Sequence, residues 1–142
     1  LSNPVSVPKK SGEVRVCVDY RDLNKTSSKD DFSLPNIHIL LDNTAGHEIE
    51  SFDGCFARYH QILMAEENRE KTAFITPWGI FCYRIMSFRL KNAGATYQMT
   101  MTTLFHNMIH KEMEVCVDDI IIKSKKAEDH LVDLKKLYER LR

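Results

Sequence analysis

Alternation of apolar and polar residues marks the first predicted strand. Val14, Val16 and Val18 lie two positions apart, with more polar residues between them, and a period of two is typical of a strand. Gly12 comes just before this run and favours a turn. We therefore predict a first hairpin over roughly residues 5 to 19.

A short helix and another strand are predicted next. Pro35 suits the first turn of a helix, the apolar run from Ile37 to Leu41 follows it, and Gly46 ends the segment. The stretch from 48 to 56 then has the composition of a strand and its exit. The polar segment from 22 to 34 precedes both and carries no element prediction.

A second hairpin is predicted around a turn sequence. Pro77, Trp78 and Gly79 lie between two strand-like stretches, residues 72–76 and 81–86. Proline and glycine in this arrangement are typical of a tight turn. The two stretches are therefore expected to pair with each other.

The last third of the chain predicts helix, strands and helix. Residues 92–110 show the repeat of a packed helix, and their first turn is rich in small residues. Residues 114–124 are predicted as strand, turn and strand, and a final helix begins at about Ala127. Five of its residues repeat at helical spacing and are expected to face the core or a partner: Leu131, Leu134, Leu137, Tyr138 and Leu141. The whole pattern predicts one α+β unit, with an antiparallel sheet packed on helices.

Composition limits the class of protein. The chain has 142 residues, of which 43% are hydrophobic and 28% charged, which is typical of a globular domain. Twenty basic residues balance twenty acidic ones, so net charge gives no support to a nucleic-acid partner, although the first 29 residues are locally basic. The four cysteines are widely spaced, which indicates reduced core thiols rather than a zinc site or a disulfide framework.

Targeting signals are not evident in the sequence. It shows neither a charged and apolar leader nor an apolar run of membrane-spanning length, so an intracellular location without membrane insertion is expected. The chain starts at Leu1, and the last predicted helix runs to Arg142 without a stop signal. We therefore expect a piece of a longer protein.

Two adjacent carboxylates interrupt the apolar stretch at 114–124. Asp118 and Asp119 would reach one site together only in a tight turn, because neighbouring strand residues point to opposite faces. Two ionised carboxylates about 4 Å apart repel by roughly 4 kcal/mol at an effective dielectric of 20. Either the turn is an ordinary solvated hairpin tip, or a divalent cation lies between the carboxylates.

A metal site for phosphoryl transfer would need a third acidic ligand. Asp53 is the candidate because Asp53-Gly54 ends the predicted strand at 48–56. Mg²⁺ prefers carboxylate oxygens together with substrate phosphates. Two such ions would lower the pKa of an attacking hydroxyl and neutralise a leaving pyrophosphate, which is chemistry that suits a polymerase. The alternative for Asp53 is again an ordinary turn.

Four blocks of sequence, taken together, resemble one known family. They are VRVCVDYRDLNK (14–25), KDDFSLPNI (29–37), EKTAFITPWGIFCYRIMSFRLKNAGATYQ (70–98) and EVCVDDIIIKSKKAEDHL (114–131). In this order they look like the reverse transcriptase of gypsy-type LTR retrotransposons, in the plant-like style. The resemblance covers nearly the whole chain. It implies a right-hand polymerase fold, with part of the fingers at about 1–45, mostly palm at about 46–126 and a truncated helix at 127–142.

The resemblance implies roles for particular residues. Asp118 and Asp119 fall on the family's Tyr-X-Asp-Asp motif, with Cys116 where tyrosine is usual, and Asp53 is the nearest match to the first catalytic carboxylate. These three would hold two Mg²⁺ ions, or Mn²⁺. The residues expected to bind the nucleotide are Arg15, Lys10, Tyr59 and Phe88, with Tyr59 as the steric gate against a ribose 2′-OH. The residues expected to support template and primer are Lys91, Asn92, Gly94 and Gln98.

The resemblance also implies partners. An RNA or DNA template with its primer, deoxynucleoside triphosphates, and thumb, connection and RNase H regions beyond Arg142 are expected. The reaction would be two-metal nucleotidyl transfer to a primer 3′-OH.

The spacing around the first carboxylate departs from the family pattern. The family's Asp precedes the gate aromatic by five residues, which here reaches Gly54, whereas Asp53 lies six residues before Tyr59. A slip of one residue turns a strand side chain to the other face unless a bulge absorbs it.

Three compact family residues are also replaced. Arg58, Ser87 and Arg89 stand at positions expected to be Gly, Pro and Gly. At a position where the backbone is expected to approach the nucleotide closely, the long side chain of an arginine would take up space that glycine leaves empty. The alternative function is therefore an inactive remnant with at most weak nucleic-acid binding.

Overall fold

The computed structural model describes residues 1–54, 58–116 and 119–141, apart from the side chain of Arg58. The residues group into two compact units, and the assignment of the chain to one domain stays a prediction. Residues 1–30 and 57–93 make up the first unit, and residues 31–56 and 94–142 make up the second. Residues 57–93 therefore cluster with the N-terminal segment, and the assignment of 1–45 to fingers and 46–126 to palm stays a prediction.

The first unit contains the predicted N-terminal hairpin. Strands β1 (Asn3–Pro8) and β2 (Val14–Asp19) pair antiparallel, and Gly12 in the turn has a φ of 84°, which glycine adopts without steric penalty. Tyr20, directly after β2, is buried and its hydroxyl donates to the backbone oxygen of Thr72 at 3.2 Å. Burial raises the pKa of Tyr20 to about 12. The hairpin prediction is confirmed.

Short elements complete the first unit. They are helix α1 (Arg21–Thr26), helix α3 (Glu66–Arg69), strands β4 (Phe74–Thr76) and β5 (Gly79–Phe81), and 3₁₀ turns at Arg58–Gln61 and Glu70–Thr72. The second hairpin is confirmed, but its second strand is β5 and not 81–86, because pairing starts directly after the turn at Gly79. The polar segment from 22 to 34, which predicted no element, contains most of α1.

The second unit is built on a three-stranded antiparallel sheet. Strand β3 (Ile49–Asp53) pairs with the central strand β7 (Asp119–Ser124), which also pairs with β6 (Met113–Cys116). Helices α2 (Ile37–Thr44), α4 (Ala93–Leu104) and α5 (His130–Arg140) accompany it, with a 3₁₀ turn at Ala127–Asp129. The buried apolar residues of this unit are Leu40, Tyr97, Met101, Phe105, Met113, Val115, Ile120, Ile122 and Leu137.

Helix α4 is shorter than predicted. It ends at Leu104 instead of His110, because Phe105 is buried and the chain turns there to enter β6. His110 in this turn has a positive φ of 67°, which is uncommon for a residue other than glycine.

Helix α5 presents polar groups to the sheet beside the core residue Leu137, and a partner contact of the exposed members of the predicted apolar stripe stays a prediction. Leu137 is buried, but Leu131 is 77% exposed. In place of a continuous leucine face, His130 lies between two strand hydroxyls, with Nε2 at 2.7 Å from Ser51 Oγ and Nδ1 at 2.9 Å from Ser124 Oγ. Because Ser124 donates its only proton to Asp133 Oδ2 at 2.8 Å, the Nδ1–H of His130 is the donor to Ser124.

The carboxylate of Asp133 titrates below its ordinary range. Burial alone would raise its pKa, but hydrogen bonds from Lys136 and Ser124 outweigh burial and hold the pKa of Asp133 below its usual value of 3.8. The Lys136 bond measures 2.9 Å. A carboxyl group with a lowered folded-state pKa stabilises the fold above its unfolded-state pKa, and this contribution is lost as the pH falls through the folded-state value.

We expect Asp133→Asn to lower the free energy of unfolding by about 1.5–3 kcal/mol at neutral pH, since bonds to a charged acceptor are lost. The difference from the natural chain should shrink below about pH 4 as the aspartate becomes protonated. Urea unfolding of both chains between pH 2 and 7 measures this, with the exposed Asp129→Asn as the control. A difference that is independent of pH would contradict it.

A buried ion pair lies on the other face of the sheet. Lys123 Nζ donates to Glu114 Oε1 at 2.8 Å and to the backbone oxygen of Asn43 at 2.7 Å, and both charged side chains are almost fully buried. The backbone contact joins β7 to the end of α2. Nothing in the apolar pattern indicated this pair.

The three cysteines among the described residues form no disulfide bond with one another and are not core residues. Cys17 and Cys116 are half-buried, and Cys82 is exposed, so the prediction of core thiols is wrong for these three. Cys55 lies outside the described residues.

None of the helices in the described parts of the chain combines the length and the apolar character needed to cross a membrane.

Candidate active site at the connection of β6 and β7

The carboxylate pair belongs to the connection between β6 and β7. Cys116 pairs with Asp119 across the hairpin, and only positions 117 and 118 lie between them. Asp118 is outside the described residues. Asp119 is the first residue of β7 and is exposed, so its carboxylate lies at the end of the central strand, where a hard cation would find an oxygen ligand.

Asp53 ends the neighbouring strand but points towards helix α5. It pairs with Ile120 in the ladder between β3 and β7, and the hydroxyl of Tyr138 donates to Asp53 Oδ2 at 3.1 Å. Asp53 and Asp119 are therefore close in the sheet, but their side chains leave it on opposite faces. The spacing to Tyr59 indicated the one-residue slip at Asp53. Nothing in the sequence indicated that Tyr138 would be the hydrogen-bond donor to Asp53.

The first unit contains a separate cavity of about 600 Å³. Two of the predicted nucleotide-binding residues, Arg15 and Phe88, line it, together with His60 and Arg89. The guanidinium carbon of Arg89 lies 5.7 Å from the centre of the Phe88 ring, which is within the range of a cation–π contact. The cavity thus combines an aromatic face with two guanidinium groups, which suits a base and an anion.

The other two predicted nucleotide-binding residues lie elsewhere in the first unit. Tyr59 is half-buried in the 3₁₀ turn at Arg58–Gln61, next to the lining residue His60. Lys10 is exposed in the turn between β1 and β2. Their roles stay predictions.

Two residues predicted to contact template and primer hold backbone of their own unit. Lys91 Nζ donates to the backbone oxygen of Ser27 at 2.8 Å. The side chain of Asn92 donates to the backbone oxygen of Ser28 at 2.9 Å and accepts from the backbone nitrogen of Asp30 at 3.1 Å. Lys91 and Asn92 therefore fasten residues 27–30, and a template contact stays a prediction.

Asn24 completes this arrangement, and the sequence analysis missed it. Its side-chain amide donates to the backbone oxygen of Arg89 at 2.8 Å and accepts from the backbone nitrogen of Lys91 at 2.8 Å. Helix α1 is thereby fixed to the segment 89–91. We name the set Asn24, Lys91 and Asn92 the amide clasp.

The remaining two predicted template residues belong to α4. Gly94 is its second residue. Gln98 is buried and its Nε2 donates to the backbone oxygen of Val115 at 3.2 Å, so it joins α4 to β6. A buried side-chain amide needs a hydrogen-bond partner, and the backbone oxygen of Val115 provides one for Gln98, so its burial is explained without a bound ligand.

Comparison with known proteins identifies the family. The family model described as reverse transcriptase (RNA-dependent DNA polymerase) matches residues 7–142. The chain therefore belongs to the reverse transcriptase family.

Relatives include transposon and viral polyproteins. The chain is 34% identical over 140 residues to a retrovirus-related Pol polyprotein from transposon 297 of Drosophila melanogaster, covering 95% of this chain and 13% of that protein. It is 33% identical over 132 residues to the enzymatic polyprotein of cauliflower mosaic virus, strain Strasbourg, covering 93% and 19%. It is 32% identical over 136 residues to the transposon Tf2-3 polyprotein of Schizosaccharomyces pombe, covering 96% and 10%. The chain thus spans less than a fifth of these relatives.

Solved structures support the predicted palm-and-fingers fold. The foamy viral protease-reverse transcriptase in complex with RNA/DNA hybrid superposes with a TM-score of 0.87 at 21% identity, covering 99% of this chain and 19% of that one. The same protein in complex with dsDNA gives 0.86 at 22% identity, covering 99% and 29%. The predicted α+β class is therefore confirmed.

Proposed function

We propose that this chain is the fingers-and-palm part of an RNA-directed DNA polymerase from a retrotransposon polyprotein of the gypsy type, in the plant-like style. The observation that carries the proposal is the family match over residues 7–142, which includes the Asp118-Asp119 pair at the β6–β7 connection. The reaction is transfer of a deoxynucleotide to a primer 3′-OH.

Divalent metal ions, two Mg²⁺ or alternatively Mn²⁺, are part of the proposal. When bound, such ions lower the pKa of the attacking hydroxyl and neutralise the leaving pyrophosphate. Asp119 could ligate such an ion through its carboxylate oxygens, because this residue is exposed at the first position of β7. Asp118 is proposed as a second ligand because it is adjacent to Asp119 in the sequence and falls on the same family motif. Asp53, which the sequence pattern indicates as the third ligand, accepts a hydrogen bond from Tyr138 of α5 at one of its two carboxylate oxygens, and its role as a ligand stays part of the proposal.

The nucleotide is proposed to bind in the first unit. Arg15 supplies positive charge to the triphosphate, Phe88 and Arg89 offer flat surfaces to the base, and Lys10 adds charge at the hairpin tip. Tyr59 is the proposed gate against a ribose 2′-OH. Support comes from Arg15 and Phe88, which line the same cavity.

Template and primer are proposed to contact the segment that includes Lys91, Asn92, Gly94 and Gln98. The amide clasp keeps the backbone of the first two residues in place, so their role is to shape the segment as well as to contact nucleic acid. Thumb, connection and RNase H regions complete the proposed polymerase, in line with relatives that are several times longer than this chain.

Primer extension tests the proposal. The chain, joined to the following regions of its own polyprotein, is incubated with an RNA template, a DNA primer, deoxynucleotides and Mg²⁺. Extension that stops on chelation of the metal supports the polymerase. Binding of primer-template that weakens with salt, without any extension, supports the alternative of an inactive remnant.

A further inference from the structure

Two stretches of the first unit supply most of the lining of its cavity of about 600 Å³. Residues 15–18 belong to β2, and residues 85–89 come from much later in the chain. Strand β2 pairs with β1, whereas Ile85 pairs with Leu63. Each stretch is thus held to a different neighbour, and neither pairing sets the distance between the two.

Helix α1 connects these two stretches through Asn24. The helix begins at Arg21, directly after Tyr20, and the backbone nitrogen of Asn24 donates to the backbone oxygen of Tyr20 at 2.8 Å. The Asn24 side chain then bonds to the later stretch, with Nδ2 donating to the backbone oxygen of Arg89 and Oδ1 accepting from the backbone nitrogen of Lys91, both at 2.8 Å. One short side chain therefore joins the end of β2 to the later part of the lining.

Both polar atoms of the Asn24 amide are used in this contact. An amide donates and accepts at once, which neither an ionised carboxylate nor an ammonium group does. The segment 89–91 is held at two points, so its backbone cannot turn away from α1 without breaking a bond. Because the guanidinium carbon of Arg89 lies 5.7 Å from the centre of the Phe88 ring, a fixed backbone here also fixes where both groups lie in the cavity.

Resting on the proposed function, we infer that Asn24 is a positioning residue for the incoming deoxynucleoside triphosphate. Asn24 is not part of the cavity lining. It holds the segment 89–91 at the end of β2, and so keeps Phe88 and Arg89 at the distance from Arg15 at which base and triphosphate are bound together. A displacement of about 1 Å in such an arrangement costs on the order of a hundredfold in rate.

Titration of the 142-residue chain with dTTP in the presence of Mg²⁺, followed by calorimetry, tests the inference. Asn24→Ala removes both bonds to the segment 89–91 and should raise the dissociation constant of dTTP at least fivefold. Arg15→Gln removes a charge from the lining and should raise it as well, which shows that the nucleotide lies in this cavity. A smaller effect in a correctly folded Asn24→Ala chain would overturn the inference.

Two replacements in the same unit separate positioning from a general loss of stability, and neither residue lines the cavity. Asn68→Ala changes another half-buried asparagine, which accepts from Lys71 Nζ at 2.7 Å, and should keep the dissociation constant within twofold. Thr72→Val removes a buried hydroxyl that donates to the backbone oxygen of Arg69 at 2.7 Å, so it should lower the melting temperature at unchanged affinity. Equal weakening of dTTP binding by Thr72→Val and Asn24→Ala would overturn the inference.

Alkylation of Cys17 reports on the cavity without a nucleotide. Cys17 lines the cavity and is half-buried, whereas Cys82 is exposed and is not part of the lining. Loss of the two bonds frees the segment 89–91, so iodoacetamide should modify Cys17 at least threefold faster in Asn24→Ala, because thiol reactivity depends on access. The rate at Cys82 should not change. Peptide mass spectrometry measures both rates, and an unchanged rate at Cys17 would overturn the inference.

Hydrogen exchange in the natural chain applies even if Asn24→Ala fails to fold, as circular dichroism would show. The backbone N–H of Lys91 is protected by Asn24 Oδ1, and its exchange requires this bond to open. Because dTTP is expected to bind the form with the bond closed, saturating dTTP should slow exchange of the Lys91 amide at least threefold. The amide of Trp78, which donates to Thr76 Oγ1 at 3.2 Å, is the control and should not change. Equal exchange of the Lys91 amide with and without bound dTTP would contradict the role of Asn24.

The proposed function can fail separately. If no form of the chain binds dTTP but Asn24→Ala still speeds the alkylation of Cys17, then Asn24 sets the shape of the cavity and the assignment of the nucleotide to it is wrong. If dTTP binds, Arg15→Gln weakens it and Asn24→Ala does not, the nucleotide site stands and the inference on Asn24 is wrong.

Discussion

Replacement of Lys123 by methionine is expected to lower the free energy of unfolding by about 3–5 kcal/mol, because it removes the buried cation that pairs with Glu114 and leaves this carboxylate with His110 Nδ1 at 2.9 Å as its remaining side-chain contact. The lost bond to the backbone oxygen of Asn43 adds to this. A typical domain is stable by only about 5–15 kcal/mol, so this loss is a large fraction of the total. Urea unfolding followed by circular dichroism measures the change.

Two controls separate loss of the ion pair from loss of a long side chain. Lys125→Met makes the same replacement at an exposed position two residues away and should change stability by less than about 0.5 kcal/mol. The double variant Lys123→Met with Glu114→Leu removes both charges and should recover most of the loss. Equal effects of the two lysine replacements would show that the pair does not stabilise the fold.

Asp119→Asn is expected to slow primer extension by a factor of roughly 10²–10³ in the proposed polymerase. An amide has nearly the shape of the carboxylate but lacks its charge, and metal stabilisation of the transition state is worth several kcal/mol, with about 1.4 kcal/mol for each factor of ten. Extension rates at saturating nucleotide measure the effect.

Glu128→Gln serves as the control for Asp119→Asn. It removes one exposed carboxylate from the same unit, outside the β6–β7 connection, and should leave extension unchanged. An Asp119→Asn enzyme that works within threefold of the natural one, with normal folding, would remove Asp119 from the site. The Asp118-Asp119 assignment would then fail as a pair.

Elements with a strong local signal were predictable. Strand β2, both hairpins and the start of α2 follow from alternation, turn residues and Pro35, all of which act over a few neighbouring positions. Helix α1 was missed because six mostly polar residues have no apolar period. Its helical form depends on contacts such as that of Asn24 with segment 89–91, which lies about 65 residues further along the chain.

The final helix shows what apolar periodicity alone leaves undetermined. Leucines at helical spacing predicted an apolar contact, but the sheet offers the hydroxyls of Ser51 and Ser124 at that place. His130 and Asp133 satisfy these hydroxyls, and Leu131 faces away from the core. A pattern within one helix carries no information about the chemistry of its partner.

The candidate site was predictable in position but not in orientation. The sequence indicated a hairpin near Asp118-Asp119, and Asp119 does begin β7. The spacing to Tyr59 also indicated a slip at Asp53. Only the register between β3 and β7 shows which face Asp53 takes, because that depends on pairing between segments about 70 residues apart.

The hydrogen bonds of Asn24 in the amide clasp are made to main-chain atoms and not to side chains. Asn24 bonds to the main-chain oxygen of residue 89 and the main-chain nitrogen of residue 91, atoms that nearly every amino acid provides. A replacement of the side chain at position 89 therefore leaves both hydrogen-bonding groups in place, so the path of this segment does not depend on which side chain stands there.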